Sequence, residues 1–190
     1  MLKPTFEALL TLAGQSFLAR RFNEKAFEAP YHYHPELELT LIQKGEGRRY
    51  VGNNMSPFEA GDVVLLGAGL PHCWKLEEEV KHKKTASTVV LQFREDGFGD
   101  GFFQLNEMRS VSRLLQQSGA GIQFYGHTAT AAANRLQYIE RENHPLKKMI
   151  AFLELLQLLS ESNELILLNK EGEAHLHSVD DQSRINKVMA

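Results

Sequence analysis

A chain of 190 residues, 43% of them hydrophobic and 24% charged, is sized and composed for one folded domain or for one domain with an added helical layer; a disordered or fibrous chain is excluded. Its formal net charge of −3 offers no positive field to a polyphosphate, so this segment by itself is not expected to bind nucleic acid strongly. Cys73, the sole cysteine, rules out an intrachain disulfide, and neither a signal peptide nor a run of roughly 20 apolar residues is present, so the expected location is the cytoplasm.

From Ser16 to about Phe93 the chain reads as short strands punctuated by glycine and proline. The alternation of Leu37, Leu39 and Leu41, and of Thr88 to Phe93, points to a mainly β sandwich or barrel. After a Gly- and Asp-rich turn at Arg94 to Gly101, the period lengthens. Helices are expected over Asn106 to Gln117, ending at Gly119, over Thr130 to Glu142, and over Leu146 to Ser160. The last is apolar around most of its circumference, so it needs cover on two sides, from a second subunit or from its own chain. NKEGEAHLHSVDDQS then reads as a polar linker. In SRINKVMA, Ser183 can cap a helix carrying Ile185, Val188 and Met189 on one stripe. Such a helix is expected to continue beyond Ala190, the alternative being a frayed natural C-terminus.

The chemistry gathers in YHYHPELELTLIQKG, Tyr31 to Gly45. Side chains two apart on a strand face the same way, so His32 and His34 project together. Beyond Pro35, Glu38, Thr40 and Ile42 share a face, and the leucines between them take the other. If Glu38 points into a barrel, the leucines must be covered by the later helices. Downstream, FEAGDVVLLGAGLPHCW presents His72 after a glycine-rich turn, with Cys73 on the opposite face. Three imidazoles and a carboxylate, His32, His34, His72 and Glu38, suit a divalent transition metal such as zinc, nickel, manganese or iron. The alternative is a hydrogen-bonded cavity in which the histidines serve a carboxylate or sugar effector. Glu36 reads as a solvated turn residue, and His175 and His177 as exposed linker residues. Candidate effector contacts are Tyr31 and Trp74, which flank the histidines, and Arg48, which with Arg49 and Tyr50 either reaches the barrel mouth or lies on an exposed hairpin face.

His32, His34, Glu38 and Gly45 match the first cupin motif, H-x-H-x3-E-x6-G, although Ala26 stands where the family usually has an earlier glycine. Gly61, Gly69 and His72 fall in register with the second, G-x5-P-x-G-x2-H-x3-N, with Gly67 in place of the proline and Leu76 in place of the asparagine. More specifically, Phe17 to Trp74 resembles the N-terminal sensor domain of AraC-type transcription regulators. That resemblance implies a cupin-like double-stranded β-helix barrel (1–100) for effector sensing, a helical region (101–168) that pairs two subunits, a linker (169–182), and the opening of a helix-turn-helix DNA-binding domain (183–190). It implies a homodimer that senses a small molecule, with His32, His34, Glu38 and His72 at the family's metal-ligand positions, and that meets DNA through a C-terminal domain largely absent from this chain. On this reading the protein is not an enzyme and no residue is catalytic; the alternative is a small metal-dependent cupin enzyme, a dioxygenase or an isomerase.

Overall fold

The structure is a computed structural model that describes residues 3–8, 15–79 and 85–170. Nine strands come first: β1 (Thr5–Phe6), β2 (Phe17–Asn23), β3 (His32–Tyr33), β4 (Leu37–Lys44), β5 (Gly47–Val51), β6 (Asn54–Phe58), β7 (Val63–Leu66), β8 (His72–Leu76) and β9 (Ser87–Phe93). Helix α1 (Arg109–Gln117), strand β10 (Ile122–Phe124), helices α2 (Gly126–Arg141) and α3 (Pro145–Ser160), and strand β11 (Leu165–Leu167) follow. They build a five-stranded sheet ordered β1-β3-β8-β5-β6 and a six-stranded sheet ordered β11-β10-β7-β4-β9-β2. The expected cupin-like barrel with a helical layer is the fold observed.

Strand β4 shows why the two layers need one another. It lies between β7 and β9, and its first six residues are buried whichever way they face. Leu37, Leu39 and Leu41 face outward and join a core with Leu114, Leu115, Leu136, Ile139, Phe152, Leu155 and Leu159 of the three helices. Ile42 faces inward, in a second cluster with Phe27, Phe58, Val64, Leu66 and Trp74. Helices therefore cover the six-stranded sheet on the outside, while its other face lines the barrel interior.

The helical region also feeds the barrel. Strand β10 pairs with β7, and β11 pairs with β10, so residues on both sides of α2 and α3 complete the six-stranded sheet. Residues beyond 100 thus hydrogen-bond into the same sheet as β4 and β7. Strands β10 and β11 have three residues each, too few for alternation to register.

Helix α2 starts at Gly126, four residues ahead of the expected Thr130. The Thr128 N–H donates to Glu164 Oε2 at 2.7 Å, so the cap comes from 36 residues away and no local cap marks the start. Helix α3 has Pro145 in its first turn, where a missing N–H costs nothing. Its Ala151, Phe152, Leu155, Leu156 and Leu159 are buried, whereas Leu146 and Ile150 remain 63% and 50% exposed, so the described residues cover one side of the helix only. No helix among the described residues is long and apolar enough to cross a membrane. The expectations for 171–182, for His175 and His177, and for a helix at 183–190 lie outside the described residues.

Leu39 is 2% exposed at the centre of the outer core. Leu39→Ala should lower the unfolding free energy by about 2–5 kcal/mol, read from the urea midpoint, while Lys44→Ala at the exposed end of the same strand should change it by under about 0.5 kcal/mol.

Candidate metal and effector site

Three histidines converge on the barrel interior from separate elements. His32 and His72 are cross-strand partners on β3 and β8, and His34 follows β3 in the turn that leads to β4. Ring centroids are 4.4 Å apart for His32 and His72 and 5.1 Å for His34 and His72. One ligand nitrogen from each lies within 4.8 Å of the others. Glycine makes the approach of His72 possible. Gly69, at φ +72°, donates its N–H to the His34 carbonyl at 2.8 Å, and a side chain at Gly67 would meet the Gly119 backbone at 2.7 Å. Gly67 occupies the position of the cupin proline; here that turn must lie against the Ser118–Gly119 backbone.

Each ring is oriented through its Nδ1. His32 Nδ1 lies 2.8 Å from the Pro30 carbonyl, His34 Nδ1 3.1 Å from the Glu36 carbonyl, and His72 Nδ1 2.8 Å from the Leu70 carbonyl. A carbonyl only accepts, so Nδ1 carries a proton in each ring; His32 and His34 Nε2 then face the Glu7 and Glu38 carboxylates, which also only accept, and of the three it is His72 Nε2 that is left with a lone pair toward the interior. His72 Nε2 is buried and has no hydrogen-bond partner among the described residues. Burial pushes this imidazole down to about 3 against the opposing pull of Glu38, so it is neutral at physiological pH. A neutral, preoriented, buried nitrogen lone pair is what a metal ligand requires. The donor set fits a divalent transition ion.

Glu38 stands beside this triad with both oxygens engaged. Oε1 accepts from Thr40 Oγ1 at 2.6 Å, and Oε2 accepts from Gln92 Nε2 at 2.8 Å and lies 3.1 Å from His34 Nε2; Oε1 is 3.8 Å from His72 Nε2. Burial favours its neutral form, but the bond from His34 and the Thr40 hydroxyl outweigh this and hold the carboxyl well below the usual range. Glu7, from the strand-like N-terminal segment, places Oε2 2.9 Å from His32 Nε2. Burial opposes protonation of His32, yet the Glu7 hydrogen bond raises its pKa. Neither Glu7 nor Gln92 was legible from local spacing, since β1 and β9 reach the site only through sheet pairing.

Around these groups is a cavity of about 310 Å³ between the sheets. Thr40, Ile42, Thr88, Val90 and Gln92 line it from β4 and β9, Arg20 and Phe22 from β2, Phe27 from the turn after β2, and Trp74 from β8. Trp74 lines it two residues after His72 on the same strand. Tyr31 does not line the cavity; its hydroxyl donates to the Gly52 carbonyl at 2.7 Å. Of the two places expected for Arg48, the exposed hairpin face is the one it occupies on β5, because the strand's pleat turns Arg49 and Val51 inward. Arg49 is 1% exposed and its guanidinium bonds Asp62, Ser56 and Gln123, away from the histidines. Glu36 is a correction. Only 14% of its side chain is exposed, since it lies 3.6 Å from His34 Nδ1 on the outer side of the ring.

Residues 20–83 match the sequence family described as the cupin domain. No curated protein matches the chain significantly. Among solved structures, the chain resembles unsaturated fatty acid bound wild-type ToxT from Vibrio cholerae at 14% identity, with 87% of this chain and 58% of that one covered and a TM-score of 0.50. The AraC-like transcriptional activator CuxR aligns at 7% identity over 90% of this chain and 56% of that one, with a TM-score of 0.49. A Cupin 2 conserved barrel domain protein from Salinispora arenicola aligns at 20% identity over 43% of this chain and 60% of that one, with a TM-score of 0.31. The chain thus spans less than two thirds of the length of the regulators it resembles. At such identities the shared feature is the fold.

The hydrogen-bond geometry fixes one tautomer. In a long-range ¹⁵N–¹H spectrum at neutral pH, His72 should appear as the Nδ1–H form with Nε2 unprotonated; the reverse assignment would break the case for an inward lone pair.

Proposed function

We propose that this chain is the ligand-sensing and dimerisation part of an AraC-type transcriptional regulator, which binds a small-molecule effector in the barrel with a divalent metal at His32, His34, His72 and Glu38. One observation carries this reading: beside a cavity lined by His32 and His72, three histidine nitrogens, each ring oriented by a backbone carbonyl, converge within 4.8 Å. The fold shared with ToxT is compatible with it. Zinc, nickel, manganese or iron each suit nitrogen-rich coordination of this kind. Such an ion would supply open coordination positions for an effector oxygen.

In this proposal 1–100 senses, 101–168 pairs two subunits, 169–182 links, and 183–190 begins a DNA-binding domain that lies largely beyond this chain. The compartment is the cytoplasm, where the DNA is. Apolar Leu146 and Ile150 on α3, with Tyr138 half exposed on α2, supply the surface that a second subunit would cover. Effector binding would bias the placement of the paired DNA-binding domains by binding one arrangement more tightly, commonly by about 1–3 kcal/mol.

The enzyme alternative finds less support in the same residues. Thr40 and Gln92 occupy Glu38 as donors, which makes it an orienting acceptor and no free base. Of the other nearby carboxylates, Glu7 lines the cavity but is held against His32 Nε2, and Glu36 is absent from the lining residues.

Two measurements test the proposal. Elemental analysis of purified protein should find one transition metal per chain, lost on His32→Ala and on His72→Ala; a wild type without metal after loading would overturn the metal site. Sedimentation should show a dimer that Ile150→Glu converts to monomer with the melting temperature retained, because Ile150 is outside the core. A monomeric wild type would overturn the pairing surface.

A further inference from the structure

We propose that the barrel takes an anionic organic effector, a carboxylate on an apolar body, with the Arg20 guanidinium and the Trp74 indole N–H as donors to its head group. The inference rests on the sensor reading above and deepens it by naming the ligand class.

The argument comes from pairing donors with acceptors inside the cavity. Its acidic acceptors are committed: Glu38 receives Thr40, Gln92 and His34, and Glu7 meets His32. Two donors remain. Arg20 reaches the cavity from β2 and is only partly exposed, and it donates to the Gln92 amide oxygen at a long 3.4 Å. Among the described residues no carboxylate forms an ion pair with it. Its neighbour Arg21, turned to the other face of the strand, pairs with Glu140 at 2.9 Å. A guanidinium carries five N–H groups, and drawing it from water without an anion is costly. Trp74 is 8% exposed and lines the same cavity, and its Nε1–H is buried with no hydrogen-bond partner among the described residues. A buried donor left unmatched in a cavity wall is a place for a ligand acceptor.

The remaining wall sets the body of the ligand. Phe22, Phe27, Ile42 and Val90 are apolar, and the Arg20 guanidinium lies 5.2 Å from the Phe22 ring centroid, which holds the cation at the edge of that surface. A sugar would leave its hydroxyls against these side chains, and an amine would be repelled by Arg20. The volume of about 310 Å³ is at the small end of ligand pockets. A compact aryl or alkyl carboxylate meets both requirements.

Trp74 is the only tryptophan, so its emission reports the cavity without labelling. The purified full chain is titrated with benzoate, phenylacetate, and hexanoate to decanoate, each beside its primary amide, and with glucose. Saturable emission changes are expected from at least one acid with a Kd below about 1 mM, and not from its amide. Arg20→Met should weaken that acid by about 10- to 100-fold with the melting temperature retained, and Arg20→Lys should keep part of the affinity. Equal responses to acid and amide, to glucose alone, or an unchanged Kd in Arg20→Met would overturn the anionic class while leaving a ligand-binding barrel. Silence from every acid would overturn the proposal, while the metal and dimer measurements would still judge the sensor reading separately.

Discussion

The register of β4 is the constraint from which the barrel, its helical cover and the polar cluster all follow. Glu38 is opposite Gln92 on one side and Leu66 on the other, and Leu39 is opposite Leu91 and Leu65. Sliding β4 by one residue would exchange the two sets, placing a carboxylate among Phe152 and Leu155 and leucines in the cavity. Such a shift would leave Glu38 without Gln92 and His34, and an unpaired buried carboxylate is among the most costly groups a fold can hold. The outward leucines, held by three helices, are therefore what keeps the acid facing inward.

Burial of the histidines carries a cost that the fold meets unevenly. Each Nδ1 is satisfied by a backbone carbonyl two residues away in sequence, so ring orientation is set by local chain geometry and does not depend on the other rings. His32 and His34 have carboxylates at their second nitrogens, Glu7 and Glu38. His72 Nε2 has Glu38 Oε1 only at 3.8 Å and no hydrogen-bond partner among the described residues, and a buried unsatisfied polar group typically costs about 1–3 kcal/mol. The structure holds this nitrogen in place at the expense of stability, and metal binding is the role that would account for it.

How much of this could be read in the sequence depended on distance along the chain. The pair His32 and His34, the alternation from Leu37 to Ile42, and the glycines before His72 express period-two geometry and turn chemistry within a few residues, so the barrel and its inward cluster were legible. Glu7, Gln92 and Arg20 were not, because only the pairing of β1 with β3, β4 with β9 and β2 with β9 brings them to the cavity. The hairpin arginines misled for a related reason. Side by side they look equally solvated, yet Asp62 and Gln123 from other strands draw Arg49 inside and leave Arg48 in water. Helix α2 likewise begins early because Glu164, far along the chain, caps it.

One turn touches both the histidine strands and Asn169, which follows β11. Gly52, between β5 and β6, accepts from the Tyr31 hydroxyl beside His32 and donates its N–H to the carbonyl of Pro71, the residue before His72, at 2.8 Å. Asn169 closes on the same turn from the other side: its Nδ2 donates to the Val51 and Ala120 carbonyls at 3.1 and 2.9 Å, and its Oδ1 accepts from Asn53 N–H at 2.9 Å. A side chain at Gly52 would meet Asn169 at 2.9 Å, so the approach requires glycine. Displacement of β3 or β8 that the turn does not absorb is therefore shared with Asn169. Contiguity of this kind is necessary for coupling between sites, but it becomes regulation only where the linked element has two arrangements that the sites bias differently.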